Sequence, residues 1–250
     1  MDAEQERLDA NAERALRRAE LSYDTAMDAL RSIALYRFTP CSDDHIAAMR
    51  MLVMSTRTIE QMGYFADGQM RCNAWGRMTV PVAAPRADFV MDDGARLHFG
   101  VHPRGGGPRP LLSIMLGDHD VLMDPSRFVD VVADRDVQLA IALPDGRLVA
   151  QQGIDDPALL AELLAHPRQG VDERHFMAYA RDPHWLAIAL SPRGAIAASL
   201  QAQRDLFLPL GIFMAAFIVL LVGWLSQRRL SPRAELALAV ENREFVVHYQ

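Results

Sequence analysis

With 250 residues, half of them hydrophobic, the chain has enough apolar material for one core of ordinary domain size. A net charge of −6 excludes the basic surplus of a nucleic-acid binder, so no nucleic-acid partner is expected. Lysine is absent and every basic side chain is Arg or His, which reads as genome composition rather than chemistry.

From Met1 to about Phe38 apolar residues recur at helical spacing: Leu8, Ala12, Ala15, Leu16, Ala19, Tyr23, Ala26, Met27, Leu30, Ile33 and Ala34. The pattern predicts one long amphipathic helix, ended by Thr39-Pro40 because a residue before proline avoids helical geometry. Its plain role is packing, and a helix continuing out of a membrane span would also transmit motion. Nothing in this stretch combines a basic start with an apolar run, so it carries no export signal.

Cys41 follows, and the second cysteine is Cys72. An even count suggests a disulfide if both lie in an oxidising compartment, and closing the loop would contribute roughly 3–4 kcal/mol. A permanent staple and a redox switch both fit. Cys41 and His45 would share a helix face, but with Cys72 they fall short of the four closely spaced ligands of structural zinc, and no metal is expected here.

Asp43 or Asp44 is expected to cap a second helix running to about Met62 and stopping at Gly63, with Ile46, Met49, Met54, Ile59 and Met62 facing inward. GYFADGQMRC then reads as a strand, an Asp-Gly turn and a returning strand that brings Cys72 back toward Cys41. Further strands are expected at 78–82, 97–101, 111–116, 137–143, 147–151, 176–180 and 185–190, with Pro144-Asp145-Gly146 turning one hairpin. Asp124-Pro125 predicts a helix through Asp134, and Asp156-Pro157 another through Ala165. The fold class is α+β with a mainly antiparallel sheet.

Arg104-Gly105-Gly106-Gly107-Pro108 lacks the phosphate-loop pattern and reads as a surface loop. Asp118-His119-Asp120 reads as a solvated turn between apolar runs. His98 and His102 would share a strand face, while His166, His175 and His184 are scattered, so none marks a site.

Helical periodicity returns from Ser191 to Asp205, and the uncharged run Leu206–Leu225 is long enough to cross the roughly 30 Å hydrocarbon core of a bilayer. Arg228, Arg229 and Arg233 place its C-terminal end in the cytoplasm, so the residues before it are expected in the periplasm of a bacterial inner membrane. A translocated domain needs export, which leads to the expectation that a first membrane helix precedes Met1. A cytosolic domain in reversed orientation is the alternative.

Three features occur in order: Pro40-Cys41-Ser42 after a long helix, GYFADGQMRCNAWG from Gly63 to Gly76, and one span with an Arg-rich exit. Together they resemble the CSS-motif sensor domain of bacterial EAL-type cyclic di-GMP phosphodiesterases. The residues that carry the likeness are Gly63, Tyr64, Phe65, Gly68, Cys72, Trp75 and Gly76. Where the family name expects Cys-Ser-Ser the chain reads Cys72-Asn73-Ala74, which removes both hydroxyls and keeps the thiol. Residues 234–250, AELALAVENREFVVHYQ, look like the opening of an EAL domain.

The resemblance implies a signalling helix at 1–40, a periplasmic sensor at 41–200, a membrane helix at 206–225 and the start of the EAL domain at 231–250. It implies that a Cys41–Cys72 bond holds the sensor inactive and that its loss raises phosphodiesterase output, through a homodimer of membrane helices. The partners are a periplasmic disulfide-forming system and the lipid bilayer; cyclic di-GMP and its divalent metal, Mg or Mn, belong to the EAL domain. No two-metal carboxylate set can be assembled from the residues after the span, so no catalytic residue is expected in these 250. A Cache-like ligand-binding sensor with an inert disulfide and another output, or a regulator with no enzyme, are the competing readings.

Overall fold

Helix α1 (Asp2–Ala34) contains neither Gly nor Pro, and Leu8, Ala12, Ala15, Ala19, Tyr23, Ala26, Leu30 and Ile33 form one buried stripe along it. Its many alanines let the helix axis approach a sheet closely. The helix stops at Ala34 rather than near Phe38, because the buried stripe ends at Ile33 and Leu35 and Tyr36 point into solvent. This computed structural model describes residues 2–103, 108–134, 136–193, 208–209 and 211–225.

Helix α2 (Asp43–Ser55) is capped by Ser42, one residue before the expected aspartates, whose hydroxyl accepts from the His45 amide at 3.3 Å. Asp43 and Asp44 occupy the first turn, where carboxylates favour the helix dipole. The helix ends at Ser55, not Met62. Thr56, Thr58 and Ile59 are β-branched and favour extended backbone, so Ile59 and Met62 lie in strand β1 (Ile59–Ala66) instead. Met54, expected inward, is 76% exposed.

From there the chain builds two antiparallel sheets rather than one. The first has the order β3-β2-β1-β7-β6-β5-β4, from β2 (Gln69–Asn73), β3 (Gly76–Ala83), β4 (Phe89–Val90), β5 (Arg96–Val101), β6 (Leu111–Leu116) and β7 (His119–Met123). The second has the order β10-β11-β12-β8-β9, from β8 (Gln138–Ala142), β9 (Leu148–Gln152), β10 (Gly170–Val171), β11 (His175–Arg181) and β12 (Leu186–Pro192). Strands β4, β7 and β10 were not expected. Neither was β7's content: Asp118 alone is the solvated turn, whereas Asp120 is 4% exposed inside the strand.

Helix α1 lies against both sheets, and its stripe shares one core with Leu112, Ile114, Val121 and Met123 of the first and Leu139, Ile141, Ala178 and Ala187 of the second. Trp185 packs edge-on to Tyr23 and at a tilt to Phe128, at ring distances of 5.6 and 5.4 Å. Helix α3 (Pro157–Ala165), capped by Asp156 as expected, covers the other face of the second sheet through Leu160 and Leu163. The helix expected from Asp124 to Asp134 is a single 3₁₀ turn, Pro125–Phe128, which stops as Phe128 enters the core.

At its start α1 is held to the exit of the domain. Arg7 pairs with Glu4, Asp134 and Asp136, and Asp136 accepts from the buried Ser191 hydroxyl at 3.2 Å near the end of β12. These ties pull the Asp136 carboxyl below its usual range, with Arg7 the main cause. Ser191 and Pro192, expected to open a helix, still belong to β12.

Met1–Arg193 form one compact unit and Gly194–Gln250 a second. Residues 208–209 and 211–225 are helical, and among the described residues no helix is long and apolar enough to cross a membrane. The remainder of the expected span, residues 194–205, residues 231–250 and the glycine loop at 104–107 lie outside the described residues.

Candidate functional site

Strand register sets one row across the inner face of the first sheet. Tyr64 on β1 faces Cys72 on β2 and His119 on β7, and His119 faces Leu116 on β6. Residues directly opposite on antiparallel strands share a face, so Cys72, Tyr64 and His119 stand side by side.

Cys72 is fully buried and bonded to Cys41, with S–S 2.08 Å and Cα–Cα 5.7 Å. The bond ties the connection between α1 and α2 to the sheet. Thr39-Pro40-Cys41-Ser42 is a tight turn closed by the Ser42 amide donating to the Thr39 carbonyl at 3.0 Å, with Pro in the second position and Cys41 in the third at φ 55°. That left-handed conformation costs a residue with a Cβ about 1–2 kcal/mol, so the turn is held by its neighbours. The Cys41 amide donates to His45 Nδ1 at 3.1 Å, and Arg77 Nε on β3 donates to the Cys41 carbonyl at 2.9 Å.

His45 lies over the row, stacked on Phe38 and edge-on to Tyr64, with its Nε2 2.9 Å from Nε2 of His119. Because Nδ1 of His45 accepts from Cys41, its proton sits on Nε2 and is donated to His119. Burial lowers both imidazoles. His119 is pushed down to about 4 by burial and then by His45, so the pair is neutral at pH 7. A cleft of about 340 Å³ opens beside it, lined by Tyr36, Phe38, Pro40 and the two imidazoles.

The motif residues divide between the two faces. Asp67 and Gly68, both at positive φ, form the two-residue turn joining β1 to β2, as the Asp-Gly pair predicts. Phe65 points to the outer face, packed with Met70 and Met115. Gly63 also faces outward, and a Cβ there would come within 2.7 Å of Asp120 Oδ1. Trp75 is 62% exposed, and Gly76 opens β3. Asn73 Oδ1 accepts from the Trp75 and Gly76 amides at 2.9 and 3.2 Å and so shapes the β2–β3 turn itself. Ala74 is fully buried, and its carbonyl accepts from Arg50 Nε.

His119 and Asp120, read from the sequence as part of a solvated turn, lie in strand β7, and Arg77 escaped the sequence reading. A readable signal for the first two was Gly117-Asp118, a two-residue hairpin turn with Gly at positive φ in its first position. Among the described residues no group of three or more His, Cys, Asp or Glu side chains is arranged to hold a metal ion.

Residues 4–204 match the family model of the CSS motif domain associated with EAL. The chain is also similar to the probable cyclic di-GMP phosphodiesterase PdeB of Escherichia coli (strain K12), 24% identical over 257 residues. That alignment covers 98% of this chain and 49% of PdeB, so the chain spans about half the length of this curated relative. The chain therefore belongs to the family of CSS motif domains associated with EAL.

Proposed function

We propose that the chain is the redox-responsive sensor and membrane anchor of a phosphodiesterase that hydrolyses cyclic di-GMP to pGpG. The sensor stands in the periplasm, Leu206–Leu225 crosses the inner membrane, and an EAL domain beyond Gln250 carries the metals and the hydrolysis. The family match and the likeness to PdeB support the output, and the buried Cys41–Cys72 bond supports the input.

One observation carries the mechanism: the disulfide fastens the connection that follows α1 to the sheet, while the start of α1 is tied to the domain exit through Arg7, Asp136 and Ser191. A helix of 33 residues spans about 50 Å, so it is a rigid link between the bond and the membrane end. Reduction frees the strained Cys41 turn and lets α1 settle differently against the sheets. A bond contributing roughly 3–4 kcal/mol is of the order needed to move a two-state equilibrium from mostly off to mostly on. The output then follows from how two copies pair through their membrane helices.

In the complete protein, Cys41→Ser or Cys72→Ser is expected to lower cellular cyclic di-GMP. Unchanged cyclic di-GMP at equal protein abundance rejects the switch and leaves a structural staple.

A further inference from the structure

The two imidazoles beside the disulfide have four nitrogens and one arrangement of protons that suits their neighbours. Nδ1 of His45 accepts from the Cys41 amide at 3.1 Å, so it keeps its lone pair and the ring proton sits on Nε2. That proton is donated to Nε2 of His119 at 2.9 Å, which must keep its lone pair in turn, leaving His119 protonated on Nδ1. A further proton has two places to go. On His119 Nε2 it sets two N–H groups against each other; if His45 answers by carrying its own proton on Nδ1, that N–H faces the Cys41 amide instead. Every protonated form of the pair therefore loses either the contact between the rings or the one that holds Cys41.

The surroundings do little for the added charge. Burial disfavours it in both rings, and the exposed Asp118 carboxylate at the turn before β7, which favours it, still leaves His119 at about 4. Arg96 of β5 reaches the same turn and donates to the Gly117 carbonyl at 3.0 Å. From β1 the Tyr64 phenol faces both rings, Phe38 stacks on His45, and Tyr36 beyond the end of α1 lines the cleft beside them. In the first turn of α2, Asp43 pairs with Arg77 of β3 at 3.6 Å and Asp44 is exposed.

We propose that the His45–His119 pair is an acid-sensitive latch on the Cys41–Cys72 bond: protonation parts the rings or releases the Cys41 amide, the turn opens, and the bond becomes reducible from the Cys41 side. Cys72 is fully buried while Cys41 is partly exposed, so a reductant approaches Cys41 Sγ. The left-handed conformation of Cys41, at φ 55°, favours departure once its amide is free. The Ser42–Thr39 and Arg77–Cys41 backbone contacts remain, which keeps the opening local. The latch deepens the redox reading, on which its signalling consequence rests: the sensor answers acid and reductant together more strongly than reductant alone.

The test uses the full chain in detergent and tris(2-carboxyethyl)phosphine as reductant. Its phosphorus attacks Cys41 Sγ, the S–S bond breaks with Cys72 leaving as a thiolate, and water then releases two thiols and the phosphine oxide. The rate on the protein, divided by the rate on glutathione disulfide at each pH, should rise roughly 20-fold from pH 7 to pH 5, for a ring at about 4 when latched and about 6.5 when free. The His45→Gln/His119→Gln protein, with no imidazole in the latch, should show no such rise. Two readouts need no variant: nitrogen-15 spectra at pH 7 should show His45 protonated on Nε2 alone and His119 on Nδ1 alone, and exchange protection of the Cys41 amide should fall over the same pH range. A flat normalised rate, an equal rise in the double variant, a neutral His45 protonated on Nδ1, or a Cys41 amide equally protected at pH 7 and pH 5 each overturns the latch. None of these outcomes bears on whether the bond controls phosphodiesterase output, which the cysteine variants test separately.

Discussion

The two faces of the first sheet are made by the same strands and behave as opposites. Tyr64 and Phe65, Cys72 and Asn73, and His119 and Asp120 are consecutive pairs whose members point to different sides. On the inner face a covalent bond and a neutral imidazole pair sit under α2. On the outer face a lone carboxylate sits under the Ala84–Asp88 segment. Burial acts on both, and because it disfavours whichever form is charged, it lowers His119 to about 4 and raises Asp120 to about 6. Two neighbouring residues on one strand thus give the sheet opposite responses to acid.

The largest effect should come from the inner face. Cys72→Ser, or reduction of the wild type, is expected to lower unfolding stability by roughly 3–4 kcal/mol in urea titrations. If the bond is a local restraint, Asp120→Asn in the same background should add independently; strong non-additivity would mean that the two faces are coupled through the strands.

Asp120→Asn should come next, with the opposite sign. The folded carboxyl titrates above its unfolded value, so the wild type gains stability as pH falls through about 6 and is penalised above it. The variant should therefore be more stable than the wild type at pH 7, by on the order of 2–3 kcal/mol, and lose that advantage near pH 4. Equal stability across that window would show that the site already compensates the charge.

His119 provides a smaller contrast. Its folded pKa lies below the unfolded value, so its contribution is present above about 6.5 and is lost as pH falls toward 4. Screening at a half-buried ring reduces this to on the order of 1–2 kcal/mol. His119→Gln should flatten the acid limb of a stability-versus-pH curve, leaving the rise due to Asp120 visible. The smallest change is expected for Asn73→Ala, which removes the acceptor for two turn amides and should cost about 1 kcal/mol in thermal unfolding. A loss several times larger would mean that the turn also supports the disulfide.

Local chemistry is what the sequence by itself determined. The apolar stripe from Leu8 to Ile33, the Asp67-Gly68 turn, the Asp156-Pro157 helix start and the Pro144-Asp145-Gly146 hairpin all follow from spacing, φ preference and capping, which act within a few residues. The pairing of Cys41 with Cys72 was also within reach, since only two cysteines exist and a hairpin returns the second one.

Tertiary structure decided the rest. Ile59 and Met62 after α2 carry apolarity at a spacing that suits helix or strand, and pairing with β7 fixed β1 as a strand. Only cross-strand register brings His119 from 55 residues away beside Tyr64, and only the second α-helix lays His45 over both. Asp120 looked like a surface carboxylate because Gly117, Asp118 and His119 just before it read as a polar turn. Its burial comes from its hairpin partner β6 and from strands β1 and β2 and the Ala84–Asp88 segment between β3 and β4, which only the sheet brings to it.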